Sequence, residues 1–165
     1  MTEVAGCDAP PFIAEDHDHE GCVEAALAAA TALCGARGER LTPLRRRVLE
    51  LVWANHSPVR AYDLLEMLSR ERGRVAPPTV YRALDFLTQQ RLVHRIDSLN
   101  AFVGCAHPES THAAYFMICR SCGTAGEIVD PELRGAVARS AKRTGFLIEQ
   151  ETVELHGLCP HCRAA

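Results

Sequence analysis

Two short cysteine pairs, Cys119-Arg120-Ser121-Cys122 and Cys159-Pro160-His161-Cys162, carry the most pointed chemistry in this 165-residue chain. A two-residue spacer lets one tight turn aim both sulfurs at a single ion, and four thiolates suit tetrahedral Zn²⁺. The 36 residues between Cys122 and Cys159 exceed a zinc-ribbon spacing. They can hold a strand, a helix and a returning strand, which would bring the pairs side by side. The closing quartet also admits a dithiol-oxidoreductase reading. That chemistry needs the first thiolate stabilised at the N-terminus of a following helix, and only Arg163, Ala164 and Ala165 follow Cys162. A zinc deaminase would need H-x-E with P-C-x-x-C, whereas here Pro160 lies inside the pair and His112 precedes Ala113 and Ala114. Neither enzyme reading survives, and Pro160 and His161 read as turn residues of a metal loop.

A second set, His94, Cys105, His112 and Glu127, is less regular. Any one of these alone is more often a satisfied core or surface residue. Together they offer imidazole, thiolate and carboxylate ligands that suit Zn²⁺ without any redox role. His17, His19 and Cys22 add a weaker His- and Cys-containing stretch inside an acidic segment, which reads as a mobile tail rather than a site. Cys34 and His156 fit helix and strand positions as packing residues, and His107 fits a loop.

The elements that must position these residues follow from periodicity. Residues 1–20 are Pro- and acid-rich with little pattern, and the Ala-rich stretch from Cys22 to about Arg37 favours a helix. In "LTPLRRRVLELVWANH", Thr42 caps a helix with Pro43 in its first position, and Leu44, Val48, Leu49 and Val52 share one face. "AYDLLEMLSRERG" reads as a third helix with Leu64, Leu65 and Leu68 inward and Gly73 as a stop. In "VAPPTVYRALDFLTQQRLVHRI", Pro77 and Pro78 can only open a helix. Val80, Ala83, Leu84 and Leu87 form its buried face, leaving Thr79, Tyr81, Arg82 and Asp85 largely outside near its N-terminus. "LVHRI" and "AFVGC" around "DSLN" read as a hairpin. Helices followed by a hairpin outline a winged helix-turn-helix, whose Pro78–Gln90 helix would enter the major groove of DNA. After Gly104, "AAYFMIC" and "GEIV" read as strands, "PELRGAVARSAKRTG" as a helix ending at Gly145, and "FLIEQETVEL" as a long strand. His94 then lies on the first wing strand and Glu127 beyond the first cysteine pair, so a metal held by both would clamp the DNA-reading half to the rest.

The net charge of −3 conceals a strong asymmetry. Residues 1–36 hold seven acids and no Lys or Arg, residues 37–95 hold twelve Arg and six acids, and residues 96–165 hold six basic and eight acidic residues. A basic centre between acidic flanks fits a DNA-binding module joined to a second unit. The opening "MTEVAGCDAP" lacks a secretory pattern, and "AALAAATALC" is too short to cross a bilayer. Both point to a cytoplasmic protein with no membrane partner. In that compartment eight cysteines favour metal chemistry over disulfides.

"LTPLRRRVL", "PPTVYRALDFL", the wing, "CRSCG" and "HGLCPHC" resemble the ferric-uptake-regulator family of bacterial metal-dependent repressors, from about residue 22 to residue 162. "AYDLLEML", "LVH" and "ELHGLC" are most similar to its zinc-uptake regulator branch. The resemblance implies an α+β fold, with a winged-helix DNA-binding domain over 21–103 and a zinc-bound α/β dimerisation domain over 104–165. It implies two Zn²⁺ per subunit, one structural on Cys119, Cys122, Cys159 and Cys162, the other regulatory on His94, Cys105, His112 and Glu127. Tyr62 and Arg82 match positions that approach operator bases, with Thr79 and Tyr81 nearby, while Arg45, Arg46, Arg47 and Arg60 would meet phosphates. The implied partner is double-stranded palindromic operator DNA, bound by a homodimer or by more than one dimer, and the implied targets are zinc-uptake genes. The chain departs from the family in one place. Iron and manganese branches carry H-x-H or H-x-D ahead of the first cysteine pair, whereas "THAAYFMIC" keeps only His112 and has Ala114 at the second position. That weakens the iron- and peroxide-responsive readings and a third metal site.

Overall fold

A computed structural model describes residues 12, 19–54, 57–110 and 112–164. The expected acidic tail lies largely outside the described residues, including His17, although helix α1 already begins at His19 (His19–Ala36). Helix α2 (Pro43–Trp53) starts as its sequence requires, with the Thr42 hydroxyl accepting from the Arg45 amide and Pro43 at the first position. Strand β1 (Val59–Arg60), helix α3 (Ala61–Arg72) and helix α4 (Pro77–Gln89) follow. Strands β2 (Val93–Ile96) and β3 (Ala101–Gly104) form the expected hairpin, with His94 opposite Val103. The two residues of β1, which no periodicity could reveal, pair with Phe102 and Ala101 and complete a sheet of order β1-β3-β2.

The core of this half is built from the helix faces that the sequence spacing selects. Val48, Leu49 and Val52 from α2, Leu64 and Leu68 from α3, and Val80, Leu84 and Leu87 from α4 are all at most 1% exposed. Leu27, Ala30 and Cys34 bring α1 into the same cluster, and Val93 and Phe102 bring in the hairpin. Helices α2, α3 and α4 with the hairpin, packed on α1 in one core, are the winged-helix layout, and they leave the N-terminal outer face of α4 in solvent.

The second sheet has the order β5-β4-β6. Strand β4 (Ala114–Cys119) runs antiparallel to β5 (Ala125–Ile128) and parallel to β6 (Thr152–Gly157), the crossover being helix α5 (Pro131–Thr144). Asp130 caps α5 by accepting the Glu132 and Leu133 amides, and Gly145 ends it in the left-handed conformation at φ 70°. This ending explains why the expected long strand shrinks. The Phe146 amide is taken by the Ala141 carbonyl as part of the helix stop, so pairing with β4 starts only at Thr152. Phe146 and Leu147 are left 69% and 79% exposed. His156, expected as a packing residue, is exposed because β6 is an edge strand with an uncovered face. A final short helix, α6 (Pro160–Ala164), begins inside the closing quartet, so Pro160 and His161 belong to a helical turn rather than a loop. Ile96, Leu99 and Val103 of the hairpin pack with Phe116, Ile118 and Ala125 of the second sheet, which joins the two sheets through a small apolar seam.

Candidate metal centres and nucleic-acid face

The sulfurs of Cys119, Cys122, Cys159 and Cys162 lie within 4.8 Å of one another. Cys119 ends β4, Cys122 follows in the turn closed by Gly123, and Cys159 and Cys162 follow β6, whose parallel pairing sets Gly157 opposite Cys119. The 36-residue interval therefore closes as its length permits. A zinc tetrahedron with bonds of about 2.3 Å has sulfur–sulfur edges of about 3.8 Å, and Cys122 Sγ stands 3.8 Å from Cys159 Sγ. Backbone amides already face these sulfurs, with Cys159 N–H donating to Cys119 Sγ at 3.4 Å and Cys162 N–H to Cys159 Sγ at 3.5 Å. Hydrogen bonds from the backbone of Cys122 and Cys159 pull the Cys119 thiol down to about 6, the shift expected of a group prepared to be a thiolate. Contrary to the sequence expectation, Cys159 does precede a helical turn, but α6 has only five residues, and all four sulfurs converge on one centre. The donor set fits Zn²⁺.

His94, Cys105, His112 and Glu127 converge in the same way, again within 4.8 Å. Each comes from a different place: β2, the residue after β3, the loop before β4, and β5. The two Nε2 atoms are 3.3 Å apart, Glu127 Oε1 lies 3.0 Å from His94 and 2.6 Å from His112, and Cys105 Sγ is 3.6 Å from His112 Nε2. Zinc bonds of about 2.0–2.1 Å to N or O and about 2.3 Å to S imply edges of about 3.3 and 3.6 Å in a tetrahedron. The His94–His112 and Cys105–His112 separations match that geometry, while the two Glu127 contacts, at 3.0 and 2.6 Å, are shorter. Supporting contacts orient the ligands. His112 Nδ1 lies 3.2 Å from the Ser110 carbonyl, so a proton placed there leaves the Nε2 lone pair facing the cluster. The Ala106 amide donates to the other carboxylate oxygen, Glu127 Oε2, at 3.2 Å. Burial, reinforced by the Glu127 charge, pushes the Cys105 thiol strongly up. A cation at the centre would offset both effects. Because His94 and Cys105 belong to the hairpin side and Glu127 to the second sheet, any ion held by all four joins the two sheets.

The candidate DNA face is open. Tyr62 is 72% and Tyr81 54% exposed, Arg82 and Arg60 are exposed, and Thr79 sits half-buried in the first turn of α4. The arginine run on α2 is differently disposed. Arg45 folds over the Phe86 ring, 3.5 Å from its centroid, and donates to the Arg40 carbonyl at 2.7 Å. Arg46 pairs with Glu50, while Arg47 grips both Glu50 and Glu71. Arg46 and Arg60 can meet a phosphate more readily than Arg45 and Arg47, which already hold α2 against α4 and α3. Three supporting residues escaped the sequence reading: Ser110, Glu154 and Arg37. Arg37 donates to the Gln90 carbonyl at 2.6 Å and reaches the Pro108 carbonyl at 3.4 Å, tying α1 to the end of α4 and to the metal loop. Such contacts to distant backbone atoms leave no spacing signal.

Known proteins resemble this chain in sequence and fold. The zinc uptake regulation protein of Escherichia coli (strain K12) is 39% identical over 137 residues, covering 82% of this chain and 80% of that protein. A solved zinc uptake regulator complexed with zinc and DNA superposes with a TM-score of 0.82 at 37% identity, over 86% of this chain and 95% of that one. The holo form of XcZur superposes at 0.78 with 44% identity, over 86% of this chain and 99% of that one. Its apo form superposes at 0.51 with 42% identity, over 87% of this chain and 98% of that one, so this chain superposes better on the holo form. The family model of the ferric uptake regulators matches residues 36–156. With a winged helix, two converging donor sets and that match over most of its length, the chain belongs to the ferric uptake regulator family.

Proposed function

We propose that this chain is a zinc-responsive transcriptional repressor, which binds palindromic operator DNA when a regulatory zinc site is filled and represses zinc-uptake genes in the cytoplasm. The observation that carries this reading is the convergence of His94, Cys105, His112 and Glu127, their donor atoms within 4.8 Å of one another, from both sides of the sheet junction. Its mixed nitrogen, sulfur and oxygen donors suit zinc, and residues on both sides of the seam contribute. In this reading residues 21–103 are the DNA-reading domain, residues 104–165 the dimerisation domain, and each subunit takes two Zn²⁺. Bound zinc would supply the positive charge that balances the Cys105 thiolate and the Glu127 carboxylate.

The side chains divide the remaining tasks. Cys119, Cys122, Cys159 and Cys162 tie the end of the chain to β4. His94 and Cys105 fix the hairpin, and with it α4, relative to Glu127. Arg82 reads purine edges, Tyr62, Thr79 and Tyr81 flank it, and Arg46 and Arg60 engage phosphates, with Arg45 close behind on the same helix. A second copy of the chain covers the apolar surface at Val129, Phe146, Leu147 and Leu155, all at least 49% exposed, next to a helix α5 that buries no residue within one chain. More than one such dimer can share an operator.

Operator binding measured with duplexes selected from a randomised pool, across buffered free zinc and alongside zinc stoichiometry, tests the whole reading. Two zinc per subunit and binding that rises as the second fills are expected. Zinc-independent binding, or binding restored only by Fe²⁺ or Mn²⁺, would favour the iron- or peroxide-responsive alternative instead. The thiol-enzyme alternative loses ground because all four sulfurs of the paired cysteines converge on one centre.

A further inference from the structure

The turn joining β2 to β3 runs through Asp97, Ser98, Leu99 and Asn100. Asn100 adopts the left-handed conformation at φ 47° and donates to the Asp97 carbonyl at 3.2 Å. The amides at the tip of this wing do not end in solvent. Asp97 N–H donates to Glu154 Oε1 at 2.7 Å, and Ser98 N–H donates to Glu154 Oε2 at 3.2 Å. Glu154 lies on β6, in the other sheet, 57 residues from Asp97, and its side chain is only 12% exposed. Arg95 pairs with the Asp97 carboxylate at 3.2 Å and so balances its charge beside Glu154. Burial alone would raise the Glu154 carboxyl, but the hydrogen bonds from Ser98 and Asp97 outweigh it and hold it below the ordinary carboxylate range.

The junction between the sheets thus has three parts: the four-ligand cluster, the apolar seam of Ile96, Leu99, Val103, Phe116 and Ile118, and this carboxylate on two amides. Glu154 is neither a candidate ligand nor a candidate DNA contact. Its bonds are charge-assisted, and they exist only while the two sheets keep this relation. They therefore favour this arrangement over any in which the sheets part.

We propose that Glu154 is a positioning residue, a metal-independent clamp on the wing that, together with the four-ligand cluster, sets the zinc level at which the chain takes its operator. The proposal rests on the zinc-responsive reading above. An arrangement that is less populated without its clamp demands more zinc to reach the same occupancy of DNA, although saturating zinc can still reach it.

The test uses the full chain with Glu154→Gln, Glu154→Ala and Glu154→Asp, the last keeping the charge but shortening the reach by one methylene. Operator binding is titrated against buffered free zinc, and amide exchange is followed at Asp97 and Ser98. The expected result is a zinc midpoint raised about fivefold or more, at the low end of ordinary coupling factors. Zinc content, dimer formation and affinity at saturating zinc should stay near those of the unmodified chain, and the two amides should exchange faster. A folded Glu154→Gln chain with an unchanged midpoint would overturn the proposal, as would equal exchange at Asp97 and Ser98 in variant and parent. If the parent itself binds DNA without regard to zinc, the functional reading fails, while the exchange comparison still decides whether the clamp exists.

Discussion

Trp53 and Gly104 touch so closely that position 104 has no room for a side chain: a methyl group placed there would meet Trp53 Cε2 at 2.2 Å. Trp53 ends α2, and Gly104 ends β3 immediately before the candidate ligand Cys105. Gly104→Ala should therefore force the indole or the strand end to move, with a cost of about 1–3 kcal/mol for overpacking. Thermal or urea unfolding measures that loss. Because the chain has a single tryptophan, its emission should also change as zinc fills the neighbouring cluster. An emission spectrum indifferent to zinc would mean that α2 does not register events at Cys105.

The two candidate metal centres should fail differently. Cys105→Ser removes the only sulfur from the cluster that joins the sheets, but leaves the four cysteines that close the second sheet untouched. Such a chain should remain a folded dimer with one zinc per subunit, and its operator affinity should lose the zinc-linked factor of about 5–150. Cys122→Ser should instead weaken the closure of β4 on the chain end, with loss of dimer and of thermal stability. Zinc analysis, size-exclusion chromatography and operator titration on both variants separate the roles. A Cys122→Ser chain that stays dimeric with full zinc content would contradict the structural assignment.

Much of this was legible in the sequence, for physical reasons. Helices α2, α3 and α4 carry amphipathic periods bounded by Thr42, Pro43, Gly73 and Pro77, all of which act locally. The cysteine pairs were legible because a two-residue spacer has few other uses. What was not legible depends on distant partners or on competition. Strand β1 exists only because Phe102 and Ala101 lie beside it. The stretch from Phe146 to Glu151 has strand-like residues, yet the stop of α5 claims the Phe146 amide, and the Tyr115 hydroxyl donates to Glu151. Arg45 reads as a phosphate contact until Phe86, 41 positions later, receives its guanidinium. Glu154 opens "ELHGLC", yet nothing in that string foretells its role, since its partners are two main-chain amides of the distant wing.

Recognition of sequence and attraction to the backbone should also come apart. Arg82 projects from the exposed face of α4 and has the reach for a bidentate contact with a purine edge. Arg82→Ala should cost about 1–3 kcal/mol at one operator position and relax the preference there. Arg60→Ala should weaken binding to every duplex alike and reduce the salt slope by about one phosphate contact. Competition titrations with single-base operator variants at two salt concentrations provide both readouts. Retained preference in Arg82→Ala would move recognition to Tyr62, Thr79 or Tyr81. Arg45→Ala should behave unlike both, since its guanidinium sits on Phe86, and its main effect should be on stability.

Proton release should report on Cys105 as a ligand of the joining cluster. Zinc takes thiolates, so a thiol that is still protonated must lose its proton on binding, and affinity then rises with pH. Burial and the Glu127 charge hold the Cys105 thiol far above its ordinary value, so it is protonated throughout the neutral range in the metal-free chain. Between about pH 7 and pH 8.5, zinc affinity at the joining cluster should climb about tenfold per unit, one proton leaving for each zinc bound. At the four-cysteine centre the thiols are pulled in opposite directions, Cys119 down to about 6 by backbone hydrogen bonds and Cys162 up to about 11, so that centre too has a proton to lose and must stay filled while the second site is titrated. Competition with a chelator of known affinity, run on the chain with its first zinc retained, measures the slope at the second site. A pH-independent affinity there would show that Cys105 is not a ligand, and the cluster would have to be reassigned to His94, His112 and Glu127 alone.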